Sequence, residues 1–521
     1  MKKYLVIQIS LMLAAGVMVT GCAEQQPQDQ GKESTDSGKP LEMSITLPPG
    51  SPQTTDTVME KKLNEVLNTK LSLLPLGGWQ DASTKLNLLM SQPDTMPDLL
   101  WRSGMEKEYQ QWIKNDQLVD LVPYMQKYGK NLLNYYSKET LWSSYQDGKL
   151  YSVPGDVSEA SSKTLYVRKD WLDKLGLPVP KTMDEFLSTV KAFTEQDPDG
   201  NGKKDTFGLA TWKGFPHEPL YVFEQAYGLK ADNFIIQDDG SIKLGAVMPQ
   251  MKQALALMKD LYENGYIDKG ASQKEQNEVI AQGKTGFYYS YIDQVNPANP
   301  TLVAFKANNP TGEFLPIDLP KGPDGFSSDW PESLGGWCYN SITTHAKDPA
   351  RVFQVLDKMN SPEVFKLRKF GIEGEHYKVE NGKFSTLIDP KEAPKIGLSL
   401  LIWFGDRKDE NNIKNTEQAT ALYKKRIETS SPLRSKIYWP KSTDRPAWSQ
   451  YGADLNTLMD QTFNQIIYGG KSLDTFDTFV KDWYAKGGRE VEAEVNQLYV
   501  KEKKEYDEWS KFYDEKLLPY K

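Results

Sequence analysis

The most restrictive spacing in this chain is DPDGNGKKD at residues 197–205. Asp197, Asp199, Asn201 and Asp205 put oxygen-bearing side chains at positions 1, 3, 5 and 9 of a calcium loop, and Gly202 takes position 6, where the turn needs a residue tolerant of positive φ. A hard cation with six or more oxygen ligands would accept those four side chains and the carbonyl of Lys203 at position 7, while three carboxylates supply the neutralising charge. Without a cation the carboxylates repel one another; the alternative is a polar Asp/Gly turn that holds no metal. Position 12 is Gly208 instead of a bidentate Glu, and FGLATW then reads as a strand, so the pattern predicts a static clamp and not a calcium switch.

A second group of residues suits binding. Sugars present apolar C–H faces ringed with hydroxyls, which flat rings stack against and which carboxylates, amides and arginines hydrogen-bond. Of 13 Trp, those beside turn or polar residues are the candidates for a sugar cleft: Trp79, Trp101, Trp212, Trp330, Trp337 and Trp403, with Arg102, Glu332, Asp406 and Arg407 as polar companions. Trp171 and Trp483 sit in helical patterns and read as core. Catalysis is marked less clearly. A glycosidase needs two carboxylates positioned across the scissile bond, and 71 acidic residues leave such a pair open, but nothing marks one; His217, His345 and His376 are scattered, and there is no HExxH or GxSxG. Gly283-Lys284-Thr285 and Gly470-Lys471-Ser472 end like P-loops, with Glu278 and Gln465 where the first glycine belongs.

The elements that must position these residues begin after a leader. Lys2 and Lys3, an apolar run over 5–19 and Val19-Thr20-Gly21-Cys22 resemble a bacterial lipobox, which makes Cys22 the lipidated N-terminus and membrane anchor. Residues 23–40 contain no aromatic or large aliphatic side chain and read as a flexible tether. Cys338 is the one other cysteine, so no intramolecular disulfide remains once Cys22 is acylated, and it reads as a small buried residue. At 521 residues with 38% hydrophobic and 26% charged content, the chain is long enough for two or more globular domains. A net charge of −8 without a basic cluster argues against nucleic acid as a partner.

Strand, helix, strand, helix, strand is the order read over 41–101, ending on the Pro-bounded strand at 98–101, and this order predicts a wound α/β sheet. Around the calcium loop the pattern gives a strand at 165–167, a short helix stopped by Gly176, Pro178 and Pro180, and a helix opened by the capping box Thr182 and Glu185 with Phe186, Val190 and Phe193 on one face. Further helices are read at 249–263 and 348–360, a return strand at 330–342, and a final long helix over 489–517 whose stripe of Tyr499, Tyr506, Trp509 and Tyr513 faces a core.

The lipobox, MPDLL, DGKLYSVPG, YVRKDWLDKLGLPVPKTMDEF, the calcium loop, GIEGEHY at 371–377 and the closing YGGKSLDTFDTFVKDWYAKGGREVEAEVNQLY together resemble the family 1 extracellular solute-binding proteins of ABC importers, within them the large lipoprotein branch that includes the calcium-containing alginate-binding proteins. The resemblance implies a periplasmic-binding-protein-like α/β fold of two discontinuous lobes with a saccharide in the cleft between them: 41–160 with about 330–395 as the N-terminal lobe, 161–329 with about 396–521 as the C-terminal lobe. It implies structural Ca²⁺ on Asp197, Asp199, Asn201, the Lys203 carbonyl and Asp205, and ABC permease subunits as partners. Those relatives continue the loop with an acidic residue where this chain has Thr206, which leaves the sixth ligand open. The expected function is a membrane-anchored binding protein that delivers an oligosaccharide or sugar derivative to a permease and is not an enzyme; a secreted calcium-containing glycosidase or lyase, or a peptide-binding lipoprotein, is the alternative.

Overall fold

The alternating stretch after the tether forms the strand Leu41–Leu47, which buries Met43, Ile45 and Leu47. The structure, a computed structural model, describes residues 38–521 except 53, 157–162, 214–218, 271–272, 293–298, 326, 328–334, 382, 390, 406–415, 430–435 and 442–444. The leader, Cys22 and nearly all of the tether lie outside the described residues.

Leu41–Leu47 belongs to a five-stranded sheet in the order Thr69–Pro75, Leu41–Leu47, Leu99–Arg102, Cys338–Ile342, Val153–Asp156. The first three strands are parallel, and Cys338–Ile342 runs against both its neighbours. Parallel neighbours need crossovers, which the helices Val58–Leu67 and Ala82–Met90 supply. Thr57 caps the first of these by accepting from Glu60 N at 3.1 Å, and Asn68 ends it with φ 54°. Of the return strand read over 330–342, residues 330–334 lie outside the described residues; Cys338–Ile342 is a strand, with Trp337 just before its first residue.

The second lobe has a four-stranded sheet, Phe314–Ile317, Lys163–Arg168, Thr285–Tyr291, Phe207–Leu209, and a three-stranded one, Ile242–Leu244, Phe234–Ile236, Ile437–Tyr438. Helix Met183–Glu195 opens with both halves of the Thr182–Glu185 capping box, and its Phe186 and Phe193 meet Phe287 with ring centres 4.8 and 5.4 Å apart. The helix before the acidic loop is thereby fixed to the strand beside it. As expected, Phe207–Leu209 follows the loop as a strand, parallel to Thr285–Tyr291.

Two large apolar cores result, one per lobe. Helix Arg489–Lys516 enters both: Val491 and Val495 fill the second core, Trp509 and Tyr513 the first. At 1.5 Å per residue its 28 residues span about 42 Å, so one aromatic stripe passes both lobes. Leu400, Leu401 and Phe404 also fill the first core, whereas the sequence reading places all of 396–521 with the second. Spacing shows that such residues face inward and not which core they face. Cys338, Trp171 and Trp483 are buried. Among the described residues no helix is long and apolar enough to cross a membrane.

Candidate functional site

Ligands of open α/β sheets bind outside the carboxyl ends of the parallel strands, and four tryptophans converge on that edge of the first sheet. Trp79 follows Thr69–Pro75, Trp101 is the last residue but one of Leu99–Arg102, and Trp337 immediately precedes the antiparallel Cys338–Ile342, which puts it at the same edge. Trp79, Trp101 and Trp337 stand 5.8 to 6.1 Å apart, and Trp403 meets Trp337 at 4.9 Å. Trp79 and Trp337 are 57% and 38% exposed, which is high for the largest apolar side chain. A cavity of about 210 Å³ lies against Trp79 and Trp101. The indole Nε1 atoms of Trp101 and Trp403 are buried with no hydrogen-bond partner among the described residues. The core residues Trp171 and Trp483 have the same unpaired indole nitrogen, so this feature alone does not mark a site.

Trp403 is held from behind. The segment carrying it has Ser399 and Leu401 at positive φ, 68° and 59°, a conformation ordinary side chains avoid. The buried guanidinium of Arg368 donates to the carbonyls of Met359 at 3.1 Å, Leu401 at 2.7 Å, Ile402 at 2.9 Å and Gly405. Asn340 Nδ2 donates to Trp403 O at 3.1 Å, and Asn360 Nδ2 to Phe404 O at 3.0 Å. Gly405 has φ 126°, and a Cβ there would lie 1.7 Å from Asn360 Oδ1, so this close approach requires glycine.

Side chains alternate across a strand, so Arg102 leaves the sheet opposite Trp101 and lines a second, larger cavity of about 630 Å³. Met105 borders both cavities. The Arg102 guanidinium lies between the rings of Tyr109 and Tyr339, 3.8 and 4.5 Å from their centres, and donates to Gly104 O at 3.0 Å. The far wall comes from the second lobe, from Trp439, Pro440, Lys441 and Arg445 just past strand Ile437–Tyr438. Lys441 Nζ sits 3.7 Å over the Trp142 ring and donates to Tyr145 O. Burial pushes its amine down to about 8 and also lowers Arg445. The larger cavity is therefore bounded by both lobes.

Of the other expected contacts, Trp212 packs in a separate buried cluster with Tyr166 and Tyr288. Trp330, Glu332, Asp406, Arg407 and His217 lie outside the described residues. Arg368, Lys441 and Arg445 were not singled out from sequence, since nothing in the residues around them marks a site.

The acidic loop is closed by its own hydrogen bonds. Gly202 N donates to Asp197 Oδ2 at 3.0 Å, Lys203 N to Asn201 Oδ1 at 2.7 Å, and Asn201 Nδ2 to Asp199 Oδ2 at 2.7 Å and Asp205 Oδ1 at 3.0 Å. Lys284 Nζ pairs with Asp205 at 2.7 Å and holds its carboxyl below the ordinary range. Burial and the neighbouring Asp197 push Asp199 up. Among the described residues no three acidic, histidine or cysteine side chains are arranged to hold a metal. The four oxygen-bearing side chains and the Lys203 carbonyl are of the type a hard cation takes, and as placed here the side chains bond to the loop itself.

Residues 59–368 match the family described as bacterial extracellular solute-binding protein. The chain belongs to that family. Among its relatives, the polygalacturonan/rhamnogalacturonan-binding protein YtcQ of Bacillus subtilis is 28% identical over 96% of this chain and 99% of its own. Lipoprotein LipO of the same organism is 26% identical over 95% and 98%. The crystal structure of alginate-binding protein AlgQ2 without calcium ion matches with a TM-score of 0.63 at 20% identity, covering 89% of this chain and 98% of that one. This likeness establishes the fold as that of the two-domain solute-binding proteins.

Proposed function

We propose that this solute-binding protein captures an oligosaccharide between its lobes and passes it intact to an ABC permease. The observation that carries the reading is the four-tryptophan cluster at the carboxyl edge of the first sheet, beside a cavity whose far wall belongs to the second lobe. A ligand that touches both walls stabilises the closed arrangement, because only there are both sets of contacts made. The saccharide-binding names of YtcQ and AlgQ2 support the ligand class. The name of LipO supports anchorage through Cys22, which would hold the protein at the outer face of the cell membrane.

Asp197, Asp199, Asn201, Lys203 through its carbonyl and Asp205 would hold a calcium ion, which would supply rigidity and no contact with sugar. Trp79 and Trp337, the two exposed rings, would stack on the saccharide, with Trp101 and Trp403 packed against them. Trp212, buried in its own cluster, would not. A thermal-shift screen of the chain beginning after Cys22 against neutral and acidic oligosaccharides, with product analysis of every hit, tests the reading. The expected result is a raised melting temperature with the sugar recovered whole; cleaved product would make the protein an enzyme, and silence across the panel would remove saccharide as the ligand.

A further inference from the structure

We propose that the saccharide is acidic, with its carboxylates received by Lys441 and Arg445 at the second-lobe wall and by Arg102 opposite. This rests on the saccharide reading and narrows it. The chain as a whole carries −8, yet among the described residues the charged lining of the larger cavity is Arg102, Lys107, Lys441 and Arg445 against Glu106, which lies 3.6 Å from Arg102, and Glu108. A cleft whose charge opposes that of the surrounding protein concentrates counter-charged solutes.

The cations on the second-lobe wall are also poorly compensated. Lys441 Nζ meets a carbonyl and two ring faces, and Arg445 Nε is buried without a partner among the described residues. Glu505 and Asp147 also face Lys441, but burial outweighs them and leaves its amine depressed; two further acids, Glu502 and Glu494, are bonded by other donors. Glu502 accepts from the Tyr438 hydroxyl at 2.7 Å and from Lys441 N at 2.9 Å; Glu494 accepts from Ala447 N at 2.8 Å and Trp448 N at 3.0 Å, capping the helix Pro446–Ile467. Removing a cation from water without a counterion is costly, and the depressed amine of Lys441 reports that cost. A ligand carboxylate offsets it. Exposed rings for the pyranose faces and half-paired cations for carboxylates together describe a uronate chain. A neutral sugar would leave Lys441 and Arg445 as they stand.

Calorimetric titration of the chain beginning after Cys22 with galacturonate, mannuronate, guluronate and glucuronate trimers, each beside its methyl ester, tests the inference, because the ester keeps the shape and removes the charge. We expect at least one acid to bind ten-fold or more tighter than its ester, with a gap that narrows as salt is raised from 50 to 500 mM, roughly from a 14 Å to a 4 Å screening length. Lys441→Met should bring that preference below three-fold. Esters that bind as well as the acids overturn the inference even if the variant fails to fold. So do neutral oligosaccharides that bind where every acid fails, and that outcome leaves the saccharide reading standing. No binding by any saccharide, charged or neutral, ends both.

Discussion

The acidic loop at 197–205 and the tryptophan edge of the first sheet are opposite kinds of site. The loop is assembled from nine consecutive residues, and its polar atoms already bond to one another. The edge gathers Trp79, Trp101, Trp337 and Trp403 from more than 300 residues of chain and leaves two of their rings exposed. A set of groups that satisfies itself serves stability, and a set left incomplete serves a ligand. The two should therefore respond differently to the same perturbations.

The largest separation should come from Arg368→Met. It strips donors from four carbonyls, three of them in the segment holding Trp403, and should cost about 3–5 kcal/mol of stability. Chemical denaturation measures that loss, and saccharide affinity should fall with it while any calcium response persists; unchanged affinity in the folded variant would detach Arg368 from the site. Next is the cation. Calcium at about a hundred times its dissociation constant should add about 2.7 kcal/mol, visible as a higher melting temperature that EGTA reverses, with saccharide affinity unaltered. A melting temperature indifferent to both reagents would make the loop a metal-free turn.

Trp337→Ala should sharpen the contrast from the other side, costing about 2 kcal/mol of saccharide binding, roughly thirty-fold in Kd, and little stability, because its ring is 38% exposed. Equal losses in both would make the ring core packing. The smallest effect is that of pH. Lys441 faces Glu502, Glu505, Asp147 and Lys501, and its amine lies near 8. The free protein loses this proton as pH rises through 8, so affinity for an acidic saccharide should be full below 8 and fall by up to ten-fold per unit above it. For stability the sign is reversed: the unfolded chain holds that proton longer than the folded one, so this group adds stability as pH rises from 8 towards its ordinary value. Titrations at pH 6, 7, 8 and 9 read the first effect.

What sequence revealed follows the same division. The acidic loop, the Thr182–Glu185 capping box and the helix Pro249–Glu263 are local patterns, and their partners lie within a turn or two. Picking tryptophans beside turns retrieved the four at the edge because strand ends are where turns begin; Trp212 satisfied the same rule and is buried instead. Arg368, Lys441 and Arg445 had no local mark, since their roles arise from carbonyls and rings contributed by distant segments. The stripe on the last helix was legible as a buried face, but its division between two cores depends on where each lobe lies along the axis.

That division has a bearing on biogenesis. Trp509, Tyr513 and Leu517 complete a core whose first strand is Leu41–Leu47, so synthesis of the N-terminal half cannot yield a finished lobe. Until the last helix is made, the earliest-made sheet lacks part of its core packing. A polypeptide that must be threaded through a membrane before it folds gains from such a delay.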